Sequence, residues 1–247
     1  CTACRGSGVG LWGARAPPSA TPIASTLRSF EESDRKTPEW RVQKMIGMII
    51  WISRSCRPNV SFAASALGTR VASWTAECDA ELARVVGYLD GTRDHVLRQR
   101  WRRGDVCEER VYTDSDWNAP KSQSGYLLCL ESRSSEPGDH DQSSILLKWG
   151  SKKQPFCAES VAAAESVAAH LGAKECLPTC WAAQEAEMAD DGPVSFFMDN
   201  NQVVSLGKTG HSENLELAHK AANIRACFLK DAANLEWIEI RKVASKL

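Results

Sequence analysis

The sequence predicts an α/β (α+β) domain preceded by a small helical module, and three observations carry that expectation. From Asp105 onward the apolar patterning reads strand, strand, strand, helix, strand, helix, helix, strand, an order that fits helices packed on a sheet. Before it, "EWRVQKMIGMIIWISRSCRPNVSFAASAL" and "CDAELARVVGYLDGT" carry apolar residues at helical spacing. Hydrophobic residues make up 43% of the 247, enough for a buried core, while no apolar run approaches the ~18–20 residues of a membrane span. The expectation is therefore a globular protein with no membrane partner.

Residues 1–36 are rich in Gly, Pro, Ser and Ala, as in "GARAPPSATPIAS", and read as a poorly ordered leader or linker. The helical module follows over 37–104, broken at Arg57-Pro58 because proline disfavours helix in the residue before it. Leu82, Val85, Val86 and Leu89 mark its last helix, which stops at Gly91. The sheet domain occupies 105–247. Its strands are "EERVYTDSDW", "SGYLLCLE", "SILLKWGSKK", "VSFFMDN" and the edge-type "LEWIEI", with a long polar loop, "SRSSEPGDHDQS", after the second. A helix carrying the repeat "AESVAAAESVAA" follows Pro155 and breaks near Pro178. Two more helical stretches lie at about 202–206 and 215–230.

Ten cysteines are scattered through apolar segments and follow no signal peptide, so reduced thiols and an intracellular setting, cytoplasmic or nuclear, are expected. "CTAC" at Cys1 and Cys4 lacks a second ligand pair at finger distance and reads as coincidence. The first residue is Cys rather than Met, which suggests a piece of something longer. Net charge is only -1, so the balance of the whole chain decides nothing about nucleic acid. Local clustering says more: "RDHVLRQRWRR", from Arg93 to Arg103, holds five arginines against one aspartate, with Trp101 among them. By itself the run reads as a solvated charged face.

Three acids share a logic. Asp114 lies within a strand, Glu165 in the following helix, and Asp199 at the C-terminal end of another strand, where ligand sites of open sheets gather. Carboxylates brought together in this way need a cation, and hard oxygen donors suit Mg²⁺. Two such ions can activate water and stabilise the leaving oxygen of a phosphodiester. Taken singly, each acid has a plainer reading: Asp114 and Asp116 as turn caps, Asp199 as a helix cap, Glu165 as a solvated helix position.

The run "YTDSDW", "KSQSGYLL", "KWGSKKQP", an Ala-Glu step in a helix, then "FMDNNQ" resembles the ribonuclease H domain of copia-type retrotransposon polyproteins. Upstream, the two helical stretches look like the segment that joins reverse transcriptase to ribonuclease H in those polyproteins. The resemblance runs collinearly from about Glu39 to the end. It implies a ribonuclease H-like fold, a mixed five-stranded sheet with flanking helices, and carboxylates holding Mg²⁺ (or Mn²⁺), two ions in all. The substrate it implies is the RNA strand of an RNA–DNA hybrid, and the partner an upstream reverse transcriptase domain of the same polyprotein.

Residue by residue, the resemblance puts the catalytic, metal-holding acids at Asp114, Glu165 and Asp199. Helical geometry adds support, since the repeat's two glutamates lie about 120° apart at ~100° per residue. Against the stripe Cys157, Val161, Ala164, Val167, Ala168 and Leu171, Glu165 sits at the flank and Glu159 further toward solvent. The glutamate standing second and an aspartate third also separates the chain from integrases and transposases of the same general fold, whose triad ends in glutamate. Arg98, Arg100, Arg102 and Arg103, with Lys148, Lys152 and Lys153, then become a phosphate-tracking surface. Gln123, Ser124, Asn200 and Gln202 either orient the hybrid or act as ordinary turn and cap residues.

Two departures favour an alternative, a degenerate remnant that keeps the fold and weak nucleic-acid binding without catalysis. Relatives usually carry a further aspartate in a helix beyond the last strand, whereas this chain stops at Leu247. Where they commonly have a Lys-His pair, "HKAANIR" places Ala221 in the histidine's position.

Overall fold

A computed structural model describes residues 39–117, 121–133, 143–209 and 220–243. The expected leader, the polar loop at 134–142 and the side chain of Ala221 lie outside those residues. The chain divides into two compact units between Leu97 and Arg98, each described by itself.

The first unit is helical: α1 (Glu39–Ser55), a 3₁₀ turn (Pro58–Val60), α2 (Ser61–Gly68), a second 3₁₀ turn (Val71–Ser73) and α3 (Ala76–Gly91). Arg57 leaves the helical region before Pro58, at φ -130° and ψ 70°, as the proline disfavours helix there. Its guanidinium donates to the carbonyl and hydroxyl oxygens of Thr92 at 3.1 and 2.6 Å, tying the break after α1 to the end of α3. Thr75 caps α3, accepting from the Cys78 N–H. Val42, Ile46, Ile49, Val60, Leu67, Trp74, Leu82 and Val85 close the core.

The second unit holds a five-stranded sheet of order β3-β2-β1-β4-β5. β1 (Cys107–Asp116), β2 (Gln123–Ser132) and β3 (Ser144–Lys153) form an antiparallel meander. β4 (Val194–Met198) and β5 (Ile238–Lys242) continue it in parallel beside β1. This mixed sheet and its flanking helices match the expected architecture, a ribonuclease H-like fold. Alternation along each strand sorts the two faces. Val111, Leu128, Phe196 and Ile240 join the core formed with α4 (Val161–Glu185), α5 (Asn201–Thr209) and α6 (Lys220–Asn234). Tyr112 and Phe197 stack on each other at 5.0 Å between centroids.

α4 differs from its expected form in three ways. It does not break at Pro178, which is exposed while Cys176, Leu177, Cys180 and Ala183 around it are buried. Packing on both sides outweighs the ~3 kcal/mol or more that an interior proline costs. Ser160 is the N-cap, its Oγ accepting from the Ala163 N–H at 3.2 Å, so Glu159 precedes the helix and shares no helical face with Glu165. And the first two turns are buried from Ala162 to Ala169 without a gap, while Val161 and Cys157 are exposed. Small side chains allow this close embrace. At Gly172 a Cβ would stand 2.4 Å from Thr113 Cγ2, so α4 lies against β1 more tightly than any larger residue permits.

Candidate metal centre

Strand register does the first part of assembling the site. β1 and β4 run parallel with Tyr112 opposite Phe197, and two residues further along these strands stand Asp114 and Asp199. Both therefore arrive side by side at the C-terminal edge of the sheet. α4, held on β1 through Gly172, lowers Glu165 from its second turn onto the same edge. Each of the three acids offers a carboxylate oxygen that lies within 4.8 Å of the other two. The three predicted acids are thus brought together.

Their environments differ. Asp114 and Asp199 are exposed, whereas Glu165 is only 6% exposed. Burial first, and then the charge of Asp114, push the Glu165 carboxyl up to about 7. Hydrogen bonds from Ser115 oppose that rise: its N–H and its Oγ donate to Glu165 Oε1 at 3.2 and 3.1 Å. The chemistry of the donor set fits a divalent cation. Three hard oxygen donors converge, with no sulfur or imidazole among them, and their spread is one that a single ion's coordination shell spans. A cation there would also relieve the mutual repulsion that the raised carboxyl reports.

The plainer readings of the acids fall to their neighbours. Asn200, rather than Asp199, caps α5, its Oδ1 accepting from the N–H groups of Gln202 and Val203 at 2.9 and 3.4 Å. Asp116, at the end of β1, accepts from the Gln123 N–H at the start of β2.

The residues expected to contact nucleic acid separate into groups. Lys152 and Lys153 end β3, opposite Ser124 and Gln123, at the acid-bearing edge; Lys152 is exposed. Gln202 is exposed at the start of α5 on that edge as well. Ser124 is 1% exposed, its Oγ accepting from Gln154 Nε2 at 2.9 Å, so it serves the interior. Lys148 turns to α4, donating to the Glu175 carbonyl and facing the Glu175 carboxylate at 3.4 Å. Arg98, Arg100, Arg102 and Arg103 are exposed at the other end of β3, where Arg100 and Ser144 exchange backbone hydrogen bonds of 3.1 and 3.0 Å.

Sequence reasoning missed three residues. Ser115 shares a strand face with Val111 and Thr113, which period-two counting from the core would have revealed. Trp117, 57% exposed, donates its indole N–H to the Ala158 carbonyl at 3.2 Å and fixes the approach to α4. Gln154 bridges Ser124 and the Ala164 carbonyl, both at 2.9 Å, joining β2 to the first turn of α4. No signal in the sequence distinguished it from a turn residue.

No family model matches the chain. Among curated proteins it is similar to the retrovirus-related Pol polyprotein from transposon RE2 of Arabidopsis thaliana, 28% identical over 155 residues, which is 61% of this chain and 10% of that protein. It is also similar to the corresponding polyprotein from transposon RE1 of the same plant, 27% identical over 155 residues with the same shares. The chain thus spans about a tenth of the length of these relatives. Among solved structures, ribonuclease H1 from the halophilic archaeon Halobacterium salinarum aligns at 13% identity with a TM-score of 0.34, over 56% of this chain and 86% of that one. LC11-RNase H1 in complex with an RNA/DNA hybrid aligns at 10% identity and a TM-score of 0.33, over 56% and 86%.

Proposed function

We infer that the second unit, a ribonuclease H-like domain of the retrotransposon Pol type, hydrolyses the RNA strand of RNA–DNA hybrids with the help of divalent cations. The observation that carries this reading is the meeting of Asp114, Glu165 and Asp199, each with an oxygen within 4.8 Å of the others, at one edge of the sheet. Mg²⁺ or Mn²⁺, two ions in the full reaction, would be held by these three acids and would supply an activated water and charge neutralisation at the leaving oxygen. The protein's own part is positioning. Ser115 fixes Glu165 through two donated hydrogen bonds, and Asn200 anchors the start of α5 immediately after Asp199.

Lys152, Lys153 and Gln202 stand at the same edge and are the proposed contacts to phosphates and sugars, which position a duplex without reading its sequence. The helical first unit resembles the segment that joins such a domain to reverse transcriptase, and its proposed partner is that upstream domain of the same polyprotein. Among the described residues no helix is long and apolar enough to cross a membrane.

The test is cleavage of an end-labelled RNA–DNA hybrid by the purified chain in Mg²⁺, leaving 3′-hydroxyl and 5′-phosphate ends. Asp199→Asn should abolish cleavage while hybrid binding survives. Binding without any cleavage by the unaltered chain would instead identify the degenerate remnant, and cleavage that persists in Asp199→Asn would refute the site.

A further inference from the structure

The arginine segment lies far from the acids, and that distance has a consequence for the substrate. Asp114 pairs with Gly125 and Gly125 with Ser151, so the acids share a row of the sheet with the end of β3. Arg100 bridges Ser144 at the start of β3. At ~3.3 Å per residue the two rows are roughly 20 Å apart along the strand. The segment is held as well as charged. Besides the Arg100–Ser144 bridge, the Arg102 N–H donates to Ser143 Oγ at 2.7 Å, which extends the sheet at the outer edge of β3. From Arg98 to Asp105 four arginines stand against one aspartate, a local balance of 4 − 1 = +3 in a chain whose net charge is -1. Trp101 lies among them, 48% exposed. Fixed cations interleaved with an exposed aromatic ring suit a nucleic-acid backbone better than a protein partner. With Lys152 and Lys153 at the near end, the edge strand β3 carries cations at both of its ends.

We propose that Arg98, Arg100, Arg102 and Arg103 form a distal anchor for the same duplex that the acids cut, so that tight binding requires a hybrid long enough to reach both. This rests on the hydrolase reading of the acid edge and adds to it a length requirement. At ~3.4 Å per base pair, 20 Å corresponds to about six base pairs, and somewhat more in a hybrid of shorter rise.

The experiment measures binding by fluorescence anisotropy, in EDTA so that the duplex stays intact, with hairpin-closed RNA–DNA hybrids of about 6, 9, 12 and 18 base pairs. The full chain should bind the 12-pair hybrid at least tenfold more tightly than the 6-pair one, with little further gain at 18. Changing all four arginines to glutamine should remove that gain and lower the slope of log K against log salt by about 3.6, since each phosphate contact contributes ~0.9. The milder pair Arg98→Gln and Arg103→Gln, which leaves the bridged Arg100 in place, should give about half the slope change with an unaltered melting temperature. Length-independent binding by the unaltered chain, or a gain with length that survives loss of the arginines, overturns the anchor. A length-dependent chain that never cleaves overturns the hydrolase reading and leaves the anchor standing, whereas cleavage without length dependence does the reverse.

Discussion

Replacing Glu165 with glutamine removes a carboxyl that burial, and then the charge of Asp114, raise from 4.5 to about 7. Because the folded value lies above the unfolded one, the folded chain holds more protons than the unfolded chain between pH 4.5 and 7. Stability is therefore fully present below the unfolded value and falls as pH rises through the folded one. At ~1.36 kcal/mol per unit, the metal-free protein loses about 3 kcal/mol across that window from this group. For a unit of this size that corresponds to a melting temperature lower by about 6–12 °C. Glu109 adds a second loss in the same window, since burial raises it to about 7 and its Oε1 has no hydrogen-bond partner among the described residues. The two contributions separate on adding a cation. Thermal melts followed by circular dichroism at pH 5 and pH 8, in EDTA and in Mg²⁺, give the following pattern. In EDTA at pH 8, Glu165→Gln and Glu109→Gln each melt higher than the unaltered chain. Mg²⁺ at pH 8 stabilises the unaltered chain and Glu109→Gln, but not Glu165→Gln. If Glu165→Gln matches the unaltered chain in EDTA at pH 8 and still responds to Mg²⁺, the carboxyl is neither strained by its neighbours nor part of a cation site.

Two further substitutions probe how the site is held. Gly172→Ala should cost about 1–3 kcal/mol by overpacking against Thr113, and adding Thr113→Ser, which removes the Cγ2 that the new methyl meets at 2.4 Å, should recover most of that loss in urea melts. Ser115→Ala removes the Oγ donor to Glu165 while keeping the backbone one, so calorimetric titration should find Mg²⁺ bound several-fold more weakly, with Ser115→Thr close to normal. Unchanged Mg²⁺ affinity in Ser115→Ala would show that this hydroxyl positions nothing.

Much of this was legible in the sequence because local and long-range signals agreed. The five strands and the Arg57-Pro58 break sit where patterning and chain order point to the same answer, and the three acids sit where the family resemblance put them. The errors came where tertiary packing overrode a local rule. Pro178 stays inside α4 because buried residues flank it. The repeat "AESVAAAESVAA" suggested two helical glutamates, yet Ser160 caps the helix between them. The expected stripe on that helix fails because alanines let its first turns be enclosed all round. Ser124 and Lys148 share composition with surface residues, but alternation turns Ser124 toward Gln154, and Glu175 captures Lys148. Such partners lie 27 and 30 residues away in the chain, beyond the reach of any spacing rule.

The centre owes its geometry to strand pairing more than to loops. Phe196 and Val111, opposite each other and both fully buried, fix the β1–β4 register from one face of the sheet, and the stacked rings of Tyr112 and Phe197 fix it from the other. A slip of one residue would turn Phe196 out of the core and bring Tyr112 or Phe197 into it, a loss no exposed aspartate could offset. Asp114 and Asp199 are thus set side by side by residues that never touch a substrate, and their repulsion is sustained by a core that has no other low-energy register. Glu165 depends on a different support, the contact of Gly172 with Thr113, one residue before Asp114. The two supports converge on β1. Damage to its pairing with β4 should therefore separate the aspartates, and damage to its contact with α4 should withdraw the glutamate, two distinct ways of losing one site.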